Sequence, residues 1–161
     1  MRNIIIASVI VFSLFISAFA VAKEIKVGEA APEFNLPAYN QKNSVKLSDY
    51  KGKIVLVGFV DTCEPCRIQA QALETVRAHY GDKIAIIGIV YEDNNGTKQL
   101  VNMLNPKPQY PLALDPKHTT ETSYGLWGDP QVAIIDKNGK IVFKNYLTEA
   151  KDLIKEIDKI K

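Results

Sequence analysis

The chain has 161 residues, 47% hydrophobic and 24% charged, with a formal charge of +2. That is material for one globular domain and too little for a second core. The near-balanced charge and the interspersed Lys and Asp/Glu exclude a nucleic-acid-binding surface of the usual basic kind, and no repeat or low-complexity tract is present.

Chain order begins with an apolar leader. Arg2 supplies a positive start, residues 4–16 form an apolar run, and Ala18-Phe19-Ala20 and Ala20-Val21-Ala22 both carry the small residues that a signal peptidase reads. Residues 1–22 are therefore expected to be a signal peptide or an uncleaved N-terminal anchor, the run being close to the length that crosses a bilayer. Either reading places the domain at residues 23–161 outside the cytoplasm, periplasmic in a bacterium, with membrane contact only if the leader stays. No Cys stands near residue 20 to carry a lipid.

Residues 23–53 read as an irregular lead-in, with a short strand at 45–47 and a turn at 48–52. Residues 54–60 are a compact apolar run rich in β-branched residues, which predicts a strand buried on both faces. Cys63-Glu64-Pro65-Cys66 follows directly, opening a helix that runs to Tyr80, with Ile68, Ala72, Leu73 and Val76 on its apolar face and Gly81 ending it. Residues 84–90 predict a second buried strand and 97–104 a helix stopped by Pro106 and Pro108. The stretch 94–110 reads as a surface excursion open to partners. Residues 112–114 predict a short strand and 119–124 a short helix. Strands at 132–135 and 140–146 flank the turn 136–139 as a hairpin. Thr148 is the expected N-cap of a closing helix that buries Leu153, Ile154, Ile157 and Ile160 and turns a Lys-rich face to solvent. Strands alternating with helices, then a hairpin and a helix, describe an α/β sandwich.

The two cysteines are the only ones, and both fall in the domain. A disulfide that closes so small a loop constrains the unfolded chain very little, so stapling explains the pair poorly. Placed between a strand and the helix after it, Cys63 meets free N–H groups and the helix dipole, which favour a thiolate. Cys63 is the expected attacking thiol, and Cys66, one turn later, the resolving one. Pro65 suits an early helical position. Glu64, with Asp61 nearby, puts negative charge beside the nucleophile, which opposes the thiolate and points to a reductant rather than a strong oxidant. A Cys-x-x-Cys pair is also half of a zinc site, which needs two more ligands. His79 and His118 are the only histidines, neither has a Cys or His close by, and His79 is better placed as a helix C-terminal cation.

These residues and their surroundings resemble the TlpA/ResA-like branch of the thioredoxin superfamily. The likeness is carried by Val27-Gly28 through Pro32-Glu33-Phe34, by Val45 to Lys53, by the Cys-Glu-Pro-Cys motif, by Tyr110-Pro111-Leu112 with Asp115, and by Tyr124-Gly125 through Asp129-Pro130 to Ile141. It implies a thioredoxin-like fold: a central mixed sheet flanked by helices, with a short N-terminal extension. It also implies disulfide exchange with exported protein thiols, supplied by a membrane-embedded electron donor, with cytochrome c maturation as one setting. The cofactor would be none beyond the Cys63–Cys66 disulfide, with no metal. Pro130 would be a cis-proline facing the pair, with Asp129 and Trp127 at the substrate face, although Trp127 in buried packing is an equal expectation.

Departures from that pattern concern proton transfer. Thr62 stands where an aromatic is usual, Gln69 where the family often has Glu, and Val57 where thioredoxins bury an Asp. Neither an amide nor a valine accepts a proton as a carboxylate does. Water, Glu64, Asp61 or Glu92 are left for that role. A copper chaperone using the Cys pair and His118 is the alternative function, although copper-delivery relatives usually space their cysteines by three residues rather than two. A peroxidase reading is weak, because Val60 lies where peroxiredoxins carry a threonine.

Overall fold

The computed structural model describes residues 25–39, 42–91, 94–104 and 107–161. The leader at 1–22, Glu92 and Pro106 lie outside the described residues. Among the described residues no helix is long and apolar enough to cross a membrane.

The described residues form seven strands and four helices. Strands β1 (Asn35–Pro37) and β2 (Ser44–Lys46) pair antiparallel as a small separate sheet, followed by a 3-10 turn at Leu47–Tyr50. Then come β3 (Val55–Val60), α1 (Glu64–Tyr80), β4 (Ala85–Val90), α2 (Asn94–Met103), β5 (Leu112–Leu114), α3 (Thr119–Ser123), β6 (Gln131–Ile135), β7 (Ile141–Tyr146) and α4 (Ala150–Asp158). The main sheet has the order β5-β4-β3-β6-β7. β3, β4 and β5 run parallel, while β6 and β7 are antiparallel to their neighbours. This mixed five-stranded sheet between helices is the thioredoxin-like arrangement. β1, absent from the sequence expectation, turns part of the lead-in into a hairpin.

The central strand shows why its run of apolar residues is uninterrupted. Successive side chains of a strand point to opposite faces, and both faces of β3 are covered. Leu56 and Val60 enter one core with Leu73 and Val76 of α1, Leu100 of α2, and Leu153 and Ile157 of α4. Val55, Val57 and Phe59 enter a second core with Phe34, Ile87, Tyr124 and Ala133. On the α1 side the register sets Gly58 beside Gly88. A β-carbon at Gly58 would intrude on the Leu73 side chain, and one at Gly88 on Leu112 and Tyr110. The paired glycines thus let α1 and Tyr110 approach the sheet closely.

Three local expectations need correction. The buried stripe of α1 is Cys66, Gln69, Ala70, Leu73, Val76 and Tyr80, whereas Ile68 is 47% exposed. The stripe follows the i, i+3, i+4 spacing counted from Cys66, which turns Ile68 out. The segment 94–110 is no mere excursion, since Leu100, Leu104 and Tyr110 are core residues. The N-cap of α4 is Glu149, without a side-chain cap. Thr148 is buried and its backbone is engaged by Gln69, so the helix begins one residue later.

Candidate active site: the Cys63–Cys66 pair

The topology assembles the site at one end of the main sheet. β3, β4 and β5 end there, and antiparallel β6 begins there, with Phe59 opposite Gln131 and Val60 beside Val90. The continuations of these strands therefore converge: Asp61 to Cys66 after β3, Tyr91 after β4, Asp115 after β5, and Asp129-Pro130 before β6. Functional groups in open α/β sheets gather at the carboxyl ends of parallel strands for this reason.

Cys63 is the N-cap residue of α1, extended at φ −83°, ψ 157°, with Pro65 in the first turn. Its Sγ accepts the Cys66 backbone N–H at 3.1 Å, so a free helix donor aims at the sulfur that is expected to bear charge. The two sulfurs are joined at 2.12 Å with Cα atoms 5.0 Å apart. Cys66 is wholly buried and Cys63 half-buried, which makes Cys63 the sulfur open to a partner.

Glu64 is not the free charge that the sequence implied. Arg67 grips it through two hydrogen bonds, Nε to Oε2 at 2.9 Å and the guanidinium NH2 to Oε1 at 2.5 Å. The Arg67 hydrogen bond holds the Glu64 carboxyl below its usual range. Its negative charge beside Cys63 is largely countered, and an ionised carboxylate tied in this way is a poor proton acceptor. The i, i+3 spacing of Glu64 and Arg67 was readable in the sequence.

Gln69 is fully buried and holds Thr148: its Oε1 accepts the Thr148 N–H at 2.7 Å and its Nε2 donates to the Thr148 carbonyl at 3.1 Å. Val57 is buried in the sheet face away from α1. Asp61 accepts the Thr62 N–H at 2.6 Å.

The Asp129-Pro130 peptide bond is cis, as expected, and Pro130 is buried. Asp129 is half-buried, and burial leads the causes that push its carboxyl up to about 6. Trp127 is 80% exposed, which removes the expectation of buried packing, and its carbonyl accepts the Gln131 side-chain amide at 3.1 Å. Tyr91, unremarked in the sequence, is buried at this edge, stacked on the His118 ring with centroids 4.2 Å apart. His118 Nδ1 meets Glu121 Oε2 at 2.8 Å. Asp115 caps α3 by accepting from Thr119 N, Thr119 Oγ1 and Thr120 N. Tyr91 could have been found by extending β4 one residue beyond its parallel register with β3. His79 lies elsewhere, at the far end of α1 against Tyr80.

A strand-to-helix Cys-x-x-Cys disulfide, with one sulfur accessible and a cis-proline loop at the same sheet edge, defines a thioredoxin-like thiol–disulfide oxidoreductase. The sequence profile of the AhpC/TSA family matches residues 27–144. Thioredoxin-like protein YneN of Bacillus subtilis is 30% identical over 120 residues, 73% of this chain and 69% of that one. Thiol-disulfide oxidoreductase ResA of Bacillus anthracis is 29% identical over 142 residues, 86% of this chain and 80% of that one. The crystal structure of the thioredoxin domain of a thiol-disulfide oxidoreductase from Bacteroides vulgatus superposes with a TM-score of 0.74 at 26% identity, covering 86% of this chain and all of that one. The chain belongs to the AhpC/TSA family and, within it, to the ResA/TlpA-like thioredoxin-fold proteins.

Proposed function

We propose that this oxidoreductase works outside the cytoplasm, in the periplasm, and reduces disulfides of exported partner proteins. The carrying observation is the asymmetry of the pair. Cys63, the more accessible sulfur, receives the Cys66 N–H at a helix start, while Cys66 is buried behind it. Cys63 attacks a partner disulfide to form a mixed disulfide, and Cys66 resolves it, so that Cys63–Cys66 closes and the partner leaves with two thiols. The Cys63–Cys66 disulfide is the only redox group this reading requires.

With Glu64 countered by Arg67, the reductant direction leans on Asp61 and Asp129, carboxylates at the same sheet edge that disfavour a thiolate. Asp129, Trp127 and Pro130 form the face that would receive an extended partner segment, by strand-like addition beside the cis-proline. Residues 1–22 would direct export or anchor the chain. Electrons would come from a membrane-embedded donor, since the compartment is kept oxidising, and cytochrome c maturation is a setting that fits.

A copper-chaperone role draws no support from the placement of His118, whose Nδ1 is directed to Glu121 and whose ring lies on Tyr91. Redox titration of the full chain in thiol/disulfide buffers, with Cys63→Ser as control, tests the reading. A two-electron couple at or below about −230 mV supports a reductant, whereas one at about −120 to −180 mV reverses the direction. Cys66→Ser should accumulate mixed disulfides with partners, which Cys63→Ser cannot form. No reversible couple at all would sink the oxidoreductase role and send the question to metal titration.

A further inference from the structure

Six large apolar side chains are exposed among the described residues, and Leu147 differs from the other five in its backbone. Its φ is +31°, in the left-handed region that a branched L residue enters only at a cost. Neighbouring bonds impose that conformation. The Leu147 N–H donates to the Pro130 carbonyl at 3.2 Å, and Gln69 engages both backbone groups of Thr148 at the next position. Glycine would take this φ freely and asparagine nearly so, yet the chain sets a leucine here. The side chain is 37% exposed and enters neither core, so packing within the domain does not explain it. Strained residues persist where the surrounding structure over-determines them, and they gather at ligand clamps.

Leu147 stands at the redox edge, on the side of the sheet that holds α1. Gln69, which holds Thr148, lies on α1 one turn after Cys66. Ala150 and Leu153 of α4 follow Leu147 closely in the chain and pack in the core cluster that contains Cys66 and receives Cys63. The other anchor of Leu147 is Pro130, the cis-proline. The Pro130 carbonyl and both Thr148 backbone groups are already bonded within the chain. What Leu147 adds to the surface at this point is therefore hydrocarbon. It extends the face of Asp129, Trp127 and Pro130, where Trp127 is exposed as well. Exposed apolar surface of this kind marks where a partner seats.

We propose that Leu147 is a specificity residue for the disulfide exchange, seating an apolar side chain of the partner next to the cysteine that Cys63 attacks. The substrate class is then a protein disulfide flanked by aliphatic or aromatic residues, as an unfolded or loosely packed segment presents. This deepens the exchange reading above and rests on it. Contact between the two side chains removes apolar surface of both from water, a gain that a polar flank does not supply. The bonds made and broken are those of the exchange already described. Leu147 acts on how firmly the partner segment rests beside Cys63, not on the sulfur chemistry.

The test gives the reduced full chain two symmetric peptide disulfides, one with leucine and one with serine on both sides of the cysteine. Rates are read by acid quench and mass spectrometry. The leucine-to-serine rate ratio is divided by the same ratio for reduced glutathione, which cancels the intrinsic reactivity of Cys63 and of the peptides. The native chain should favour the leucine peptide by roughly 10-fold. Leu147→Gly and Leu147→Asn suit the left-handed backbone but lack the apolar side chain, and should bring the ratio close to unity. Leu147→Met should retain most of the preference. Leu147→Gly should melt at or above the native temperature, because glycine adopts this φ without strain, which separates lost preference from lost folding. A native ratio near unity, or a preference that survives in both Leu147→Gly and Leu147→Asn, overturns the proposal. A reduced chain that opens neither peptide overturns the exchange reading itself, whereas both peptides opened equally well removes only the role of Leu147.

Discussion

The side-chain amide of Gln69 closes on the backbone of Thr148, accepting its N–H at 2.7 Å and donating to its carbonyl at 3.1 Å. Gln69 lies on α1 three residues after Cys66, and Thr148 joins β7 to α4. The pair ties the helix that carries the redox centre to the last strand–helix link, and it uses an amide because the backbone presents one donor and one acceptor together.

Gln69→Leu keeps the volume roughly and strands both Thr148 groups in a buried setting. Unsatisfied groups of this kind cost about 1–3 kcal/mol each, so urea unfolding should show a loss of about 3 kcal/mol. Gln69→Glu keeps the acceptor and sets a second oxygen against the Thr148 carbonyl. Burial would raise that carboxyl in the folded chain, so the variant should match the native chain best at acid pH and lose stability as pH climbs. Melting curves at several pH values check the sign.

Arg67 sets the charge beside Cys63. Arg67→Ala frees Glu64, disfavours the Cys63 thiolate and should make the couple more reducing, while Glu64→Gln should do the reverse. Glu64 is exposed and Arg67 only half-buried, so the alkylation rate of the reduced chain by iodoacetamide at pH 7 should change only about 2–5-fold in opposite directions.

Asp129 links pH to stability. Its carboxyl is pushed up to about 6 from the ordinary 3.8. A carboxyl raised in the folded state favours folding while protonated, and that advantage is lost as pH rises through about 6. Asp129→Asn should therefore be more stable than the native chain at pH 7.5, by about 1 kcal/mol once partial exposure is allowed for, and the difference should fade below pH 4. Equal melting shifts at both pH values would contradict this.

Gly58 is a packing test remote from the chemistry. Gly58→Ala sets a methyl against the Leu73 side chain and should destabilise by about 1–3 kcal/mol through overpacking, read by denaturant midpoint. Gly58→Ala combined with Leu73→Ala should recover part of the loss, because the second change opens the space that the first fills.

The main elements were legible because their signals are local. β3 and β4 announce themselves as runs buried on both faces, the turn at 136–139 as a hairpin, and Cys-Glu-Pro-Cys as a helix start. The helical face was misjudged at Ile68 because an apolar residue beside a stripe reads like one within it; only the sheet beneath α1 decides which residues turn inward. Thr148 reads as a cap because hydroxyl residues favour helix starts, yet Gln69, 79 residues earlier in the chain, had already taken its backbone. The charge of Glu64 was read without its partner, although Arg67 stood one helical turn away.

By itself the sequence determined the order of the main-sheet strands and the helices, the thiol pair at a strand–helix junction and the likeness that marked Pro130 as a cis-proline. Each rests on residues adjacent in the chain, where periodicity, caps and turns act. The tertiary structure alone decided that Gln69 holds the Thr148 backbone, that Trp127 is exposed, and that Tyr91, Asp129, Glu121 and His118 meet at one edge. Those facts depend on parallel and antiparallel strand ends being brought together across the sheet, and on burial, which alters a carboxyl's proton affinity only once distant segments have excluded water from it.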